Sequence, residues 1–429
     1  MAAQAAPRCR TLVALAPHVK LVLPMATVAD SVTDLARRPR LRGACDWFRK
    51  ERAWINDQHL KLCRVAAPTF LEEKRAQYMQ ERFRDFGWES WLDRAGNVLA
   101  ALPGRRLQSG DSYIAVTAHL DTVLAPRITE DISVSTQDGR FLGPGVSDNG
   151  AGLSALLALA AVWNEFPDLL EDAPLAPLLV ANVGEEGEGN LSGMRFLCRP
   201  HAARAKSFVI LDGPSTDFIT CRALASRRFE VVVSGSGGHS WTDHGNGNPV
   251  HAVARAIVNF TQQAPAVESP RSSFNFGLVQ GGASINSIPV EARTKVDLRS
   301  EDPAMIDRMA DLLQSAVESA VEAENSAASS RVTARIKEIG SRPGGELKSD
   351  APILESVRAV DQYLGIRSQL DCSSTDANIP LSLGLPAVSI GAGGSGGGAH
   401  TPAEWFHPEG RELGLRRILL ILSLLLSRP

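Results

Sequence analysis

Apolar residues in this chain gather in short runs that stop abruptly at glycines, acids or histidines. Residues 178–183, 208–211 and 387–390 are nearly all apolar, and 114–118 runs from β-branched and small residues into His119 and Asp121. A strand with one wet face alternates polar and apolar positions. These runs do not, so they predict strands buried on both faces. Helical stretches separate them: segments between 45 and 86 carrying Trp47, Phe48, Trp54, Leu60, Leu62, Tyr78, Met79 and Phe83, and an Ala/Leu-rich one over 152–163. Such alternation predicts an α/β fold, a mostly parallel sheet with helices on both faces. The last run, 418–426, is too short to span a bilayer and reads as a final helix packed into the core.

Between 223 and 342 the texture changes. Strands at 229–233, 273–279, 290–298 and 331–339 and helices at 250–260 and 303–322 follow in the order βαββαβ. That is a self-contained open sheet with two helices, resembling the split-βαβ, ferredoxin-like motif. The sequence therefore predicts one domain made of residues 1–222 and 343–429, with a second, 223–342, inserted into it. Near the start, Arg8 and Arg10 precede an apolar stretch as they would in a secretory signal. Pro17, His18, Lys20 and Pro24 break that stretch, so residues 1–40 read as an irregular N-terminal extension.

Charge and cysteine content narrow the function classes. Lys plus Arg number 45 against 48 Asp plus Glu, which leaves no basic surplus for nucleic acid and no acidic tail. Cys9, Cys45, Cys63, Cys198, Cys221 and Cys372 are widely and irregularly spaced, without C-x-x-C. This argues against a disulfide framework and a cysteine zinc site, and for unpaired thiols in a reducing, cytoplasmic setting. Nothing in the pattern requires a membrane.

The ends of the apolar runs carry the candidate chemistry. In open α/β sheets ligands gather at the carboxyl ends of strands. His119, Glu185, Glu186, Asp212 and His400 each follow a predicted strand, and Asp148 sits where a loop enters a helix. Imidazoles with carboxylates suit zinc, and also cobalt or manganese. Two neighbouring divalent ions need one shared carboxylate, and Asp148 is the candidate. His119 and Asp121 are two apart on an extended segment and face the same way, so the Asp121 carboxylate can hold the imidazole and fix its tautomer. Adjacent Glu185 and Glu186 point in different directions, so one can bind metal while the other faces the attacking water. Taken singly, each residue has a plainer reading: Asp148 as a helix N-cap, the glutamates as a solvated turn, Asp212 as a turn residue, His400 as a loop histidine. Together, at strand ends in one order, they point to a two-metal hydrolase.

Six blocks resemble a known family in the right order. They are T-A-H-L-D-T-V (117–123), S-D-N-G-A-G (147–152), G-E-E-G-E-G-N-L-S-G (184–193), L-D-G-P (211–214), S-G-S-G-G-H-S-W-T-D (234–243) and G-G-G-A-H-T-P-A-E-W (396–405). The chain resembles the peptidase T, aminoacylase and glutamate carboxypeptidase family of dinuclear zinc metallohydrolases, its peptidase T-like members most, over about residues 45–429. The resemblance implies a zinc-exopeptidase-like catalytic domain with an inserted lid that also dimerises. It implies that His119 and Asp212 hold one metal, Glu186 and His400 the other, and that Asp148 bridges them. Glu185 is then the general base and later the acid, and Asp121 orients His119. A non-proline cis peptide is implied at Asp148-Asn149. His239 is implied to reach across a homodimer interface and stabilise the oxyanion in the partner's site, while Asn286 and Arg342 contact substrate, the arginine through a free carboxylate. The loop Ser373 to Asn378 resembles one near the family's pocket, although a helix N-cap at Ser374 or Thr375 explains it almost as well. The implied reaction is amide hydrolysis in di- or tripeptides by an exopeptidase. An N-acyl amino acid deacylase uses the same residues and stays open, as does a catalytically silent binding protein on the same fold.

Overall fold

The structure, a computed structural model, describes residues 28–104, 112–125, 132–199, 204–264 and 271–428. Among these residues the largest sheet has nine strands. In spatial order they are Glu89–Leu92, Val98–Ala101, Ala176–Asn182, Tyr113–His119, Ala205–Leu211, Ala387–Ile390, Phe218–Ala223 and Gly345–Glu346, with Gln369–Ser373 also paired to Phe218–Ala223. The sheet is mixed. Its centre is parallel, from Ala176–Asn182 through Tyr113–His119 and Ala205–Leu211 to Ala387–Ile390. Its margins are antiparallel except for Gln369–Ser373, which pairs parallel with Phe218–Ala223. The first hairpin explains one margin, because Asp93 Oδ1 accepts the N–H groups of Ala95 and Asn97 and turns the chain straight back.

Helices cover both faces. Gly150–Glu165 is buried along almost its whole length, from Gly150 to Trp163, which is why its sequence shows no polar stripe. Leu153, Leu156, Leu157 and Val162 are fully buried there, each contributing about 1.5–3 kcal/mol by leaving water. The closing helix Arg411–Leu426 is likewise core. Its Arg417 donates twice to the Asp361 carboxylate, at 2.6 and 2.7 Å, and so ties it to the helix Pro352–Leu364. No helix among the described residues is long and apolar enough to cross a membrane.

Part of the predicted irregular extension is helical. Val28–Arg37 forms a helix that sets Val32, Leu35 and Ala36 against the main core, and Pro39–Lys50 follows at once. Residues 1–27, with Cys9 and the broken apolar stretch, lie outside the described residues, as does Pro126. The five described cysteines are free thiols.

Leu224 separates the large sheet from a second one. Ala225–Ser234, Ser272–Gly281, Glu291–Ser300 and Thr333–Arg342 form a four-stranded antiparallel sheet in the order second, third, first, fourth, with helices Pro249–Gln263 and Pro303–Ala327. It has a hydrophobic cluster of its own, built around Phe229, Val231, Phe260, Leu298 and Leu313. After Arg342 the chain returns to the large sheet at Gly345–Glu346. A third, small sheet pairs Ser395–Gly397 with Trp405–His407, then Arg140–Leu142, then Ser135–Gln137. Part of the predicted glycine loop is therefore a strand, and the hairpin that carries His400 is fastened beside the loop that leads to Asp148.

Candidate metal centre

His119 ends the strand Tyr113–His119, and buried Arg75 holds the segment that follows by donating to the Leu120 carbonyl at 2.7 Å and the Thr122 hydroxyl at 2.9 Å. Asp121 is fully buried. Its carboxylate accepts the N–H groups of Glu185 at 3.0 Å and Glu186 at 2.9 Å, and the Thr69 hydroxyl at 3.0 Å. It thereby fixes the two glutamates to the end of the neighbouring strand. The nearer partner of His119 Nδ1 is the Asp121 backbone carbonyl at 3.1 Å, with the carboxylate at 3.4 Å. Burial opposes ionisation of Asp121, but its hydrogen bond with His119 holds the carboxyl below the usual range.

Asp148 is free to bind a ligand because its neighbour takes the capping role. Asn149 Oδ1 accepts the N–H groups of Gly152 and Gly213, and its amide donates to the Leu211 carbonyl at 2.9 Å. The peptide bond between Asp148 and Asn149 is cis. Behind this turn, buried Glu404 accepts the N–H groups of Gly145, Ser147 and Asp148 at 2.7, 2.8 and 2.9 Å. The helix start is tight: a Cβ on Gly152 would lie 2.3 Å from the Leu211 carbonyl and 2.4 Å from Asn149 Oδ1. Gly152→Ala should cost about 1–3 kcal/mol, read as a lower urea midpoint with unchanged slope. An unchanged midpoint would mean that the turn relaxes freely.

Three carboxylates and two imidazoles meet in front of these supports. His119 Nε2 lies 2.9 Å from Asp148 Oδ1 and 3.8 Å from Asp212 Oδ1. His400 Nε2 lies 3.1 Å from Asp148 Oδ2 and 2.7 Å from Glu186 Oε1. The donor atoms of His119, Asp148 and Asp212 fall within 4.8 Å of one another, as do those of Asp148, Glu186 and His400. The two triads share Asp148, one through each oxygen. Burial and the Asp148 charge push Asp212 up to about 7, and hydrogen bonds with Asp148 and Glu186 push His400 up to about 10. Burial alone would lower His119, yet its bonds with Asp121 and Asp148 hold it well above the usual imidazole value. Protons on the imidazoles thus offset the crowded carboxylates at the places where divalent cations would do so, and the donor set fits two such ions.

Glu185 belongs to a third close group with His119 and Glu186. Arg342 Nη1 donates to Glu185 Oε1 and to the Ser374 hydroxyl, each at 3.0 Å, and Nη2 donates to the Glu185 carbonyl. Burial drives the Glu185 carboxyl well above the usual range, against the Arg342 charge, which lowers it. The Arg342 guanidinium is engaged with the candidate base.

Residues 115–423 match the Peptidase family M20/M25/M40. The chain belongs to that family. It is 26% identical over 335 residues to an acetylornithine deacetylase of Myxococcus xanthus, covering 74% of this chain and 83% of that one. It superposes on the aminopeptidase PepT of Bacillus cereus with a TM-score of 0.68 at 20% identity, covering 87% and 98% of the two chains. A dinuclear metal-binding M20 peptidase of Bacillus subtilis, YXEP, shares the fold at a TM-score of 0.62 and 14% identity, covering 88% and 99%. Membership makes the chain a hydrolase of amide bonds.

Two predicted residues of this M20 hydrolase lie on the inserted four-stranded unit and belong to none of the close groups of candidate ligands. Gly238–His239 pairs with Ser287–Ile288, and the Ser240 N–H donates to the Asn286 carbonyl at 3.0 Å, so His239 and Asn286 are neighbours on exposed loops. His239 Nδ1 accepts the Trp241 N–H at 3.2 Å, which leaves Nε2 as the proton-bearing nitrogen. Two buried acids went unassigned in the sequence. Glu404 was visible only as a carboxylate four residues past His400. Asp376, in the Ser373 to Asn378 loop, accepts from Asn182 at 2.6 Å and is pushed up to about 6 by burial. In that same loop Thr375 Oγ1 accepts the Ala377 N–H, while the N-cap of the helix Asn378–Ser382 is Ala377 and not the expected Ser374 or Thr375.

Proposed function

We propose that this M20 hydrolase is an exopeptidase that cleaves di- or tripeptides, using two divalent ions, zinc first, with cobalt or manganese able to substitute. The observation that carries the reading is the pair of triads sharing Asp148, with Glu185 buried beside them. His119 and Asp212 would hold one ion, Glu186 and His400 the other, and Asp148 both. When bound, the ions polarise the scissile carbonyl and acidify a water. Glu185 takes the proton of that water at its Oε2 atom, because Oε1 is held by Arg342, and returns it to the leaving amine. Asp121 keeps His119 in one orientation throughout.

His239 fits the role of oxyanion donor, since its Nε2 carries a proton and the residue is exposed. Reaching a partner's site requires a homodimer through the small unit. That assembly is supported by the sheet edge Ser272–Gly281, where Val279 is 57% exposed, and by Val258 at 49% on the adjoining helix. His239→Ala should lower kcat about 10²–10³-fold with metal content unchanged; equal loss of both would assign it a structural role. A monomer with full activity in sedimentation would remove the dimer. A cytoplasmic setting keeps its support in the free thiols.

N-acyl amino acid deacylation is the second reading, favoured by the 26% identity to the Myxococcus deacetylase. A hydrolysis panel separates the two. Chelator-stripped enzyme reloaded with zinc, cobalt or manganese is offered dipeptides, tripeptides and N-acyl amino acids while free amine is counted. Metal-dependent release from peptides alone supports the exopeptidase, and release from acyl amino acids alone replaces it with the deacylase.

A further inference from the structure

The sheet face that carries His119 and Asp212 continues beyond them as a row of hydroxyls ending at a carboxylate. Thr117 lies two residues before His119, and Ile210 two before Asp212. Thr117 pairs with Ile210, Ile210 with Ser389, Ser389 with Thr220, and Thr220 with Asp371. Residues paired across neighbouring strands share a face, so Ser389, Thr220 and Asp371 extend the ligand-bearing face sideways. Neighbouring strands lie about 4.8 Å apart, which puts Asp371 roughly 14 Å along the sheet from the Asp212 strand.

A cavity of about 310 Å³ spans this ground, bounded by Asp148 and Asp212 as well as by Thr220, Ser389 and Asp371. That volume is at the small end of ligand pockets, about 300–1,000 Å³, and suits a short substrate. No lysine or arginine lines it, and Ser215, Ser373, Ser374 and Thr375 add further hydroxyls. Once Asp148 and Asp212 are assigned to metal, Asp371 is the one carboxylate left among the lining residues. It makes no ion pair among the described residues; Arg222, on the paired strand, turns to Glu301 at 3.8 Å.

We propose that Asp371, with the hydroxyls of Thr220 and Ser389, binds a positively charged amine of the substrate. This rests on the proposed amide hydrolysis and names the substrate class for it. An ammonium carries three donors and no acceptor, and the row supplies a carboxylate and two hydroxyl acceptors. A substrate carboxylate placed there meets the Asp371 charge without an offsetting cation, and an apolar group leaves the hydroxyls unpaired. The amine comes from either of two sources, the free amino terminus of a peptide or a basic side chain such as lysine.

The test uses the zinc-reloaded full-length enzyme. Trialanine with a free or acetylated amino terminus probes the first source. Alanine tripeptides carrying lysine or norleucine at either end probe the second. The amine-bearing member of a pair should exceed its neutral counterpart by about tenfold or more in kcat/KM, and Asp371→Asn should erase that advantage, bringing the ratio within each pair to about one. Loss of the free-terminus preference identifies the terminal amine, and loss of the lysine preference identifies the side chain. Equal kcat/KM within every wild-type pair overturns the proposal, as does an Asp371→Asn variant that loses all substrates equally. Should the wild type turn over nothing, amide hydrolysis of these peptides fails separately, and calorimetric titration of the same pairs decides the amine site. An Asp371-dependent preference in binding then sustains it, and no preference overturns it.

Discussion

Glu185→Gln is expected to lower kcat by about 10²–10⁴-fold and to leave metal content near that of the parent enzyme. Glutamine matches glutamate in shape and keeps an oxygen for Arg342 Nη1, which donates to Glu185 Oε1 at 3.0 Å, but it cannot accept a proton from water. The variant also leaves the Arg342 guanidinium, only 7% exposed, without its counter-charge, so thermal stability should drop as well. Activity must therefore be read on protein shown folded by circular dichroism, together with metal analysis of the same sample. Lost turnover with retained metal supports the base. Joint loss would make Glu185 a ligand, a role its closeness to His119 and Glu186 permits. Retained turnover would sink the assignment altogether.

The positions of most candidate ligands were legible in the sequence because of how parallel strands are buried. A strand covered on both faces is apolar until it leaves the sheet, so the polar residues just past 118, 183 and 211 announce the carboxyl edge where ligands collect, whereas His400 stands ten residues past 390 in a hairpin of the third sheet. What holds those ligands was not legible. Asp148 and Asn149 are both good capping residues, and only the tertiary contacts of Asn149 to Gly213 and Leu211 decide between them. Glu404 makes its bonds to N–H groups more than 250 positions away in the chain, beyond the reach of any local pattern. The hydroxyl row ending at Asp371 arises from pairing among strands far apart in sequence. Residues 28–37 read as irregular because one short helix with three apolar contacts gives too few periods to recognise.

Asp148→Ala is expected to empty both metal positions and to take activity below detection, whereas His400→Ala should remove one ion and keep the other. The difference follows from how the carboxylate is shared. One Asp148 oxygen faces His119 at 2.9 Å and the other faces His400 at 3.1 Å, so its loss opens both triads, while His400 completes only the one with Glu186. Metal counted per chain after dialysis checks this directly: two in the parent, one in His400→Ala, close to none in Asp148→Ala, as a two-metal site requires. One tightly held ion in Asp148→Ala would refute the sharing. Glu404→Ala supplies the contrast, since it touches no ion and only releases the N–H groups that aim the Asp148 turn. Its affinity for metal should weaken by about 10–100-fold, with both positions filling again at high metal concentration. A ligand lost cannot be recovered by mass action at the same stoichiometry, but a ligand merely loosened can. The titration therefore distinguishes the residue that binds from the one that positions it.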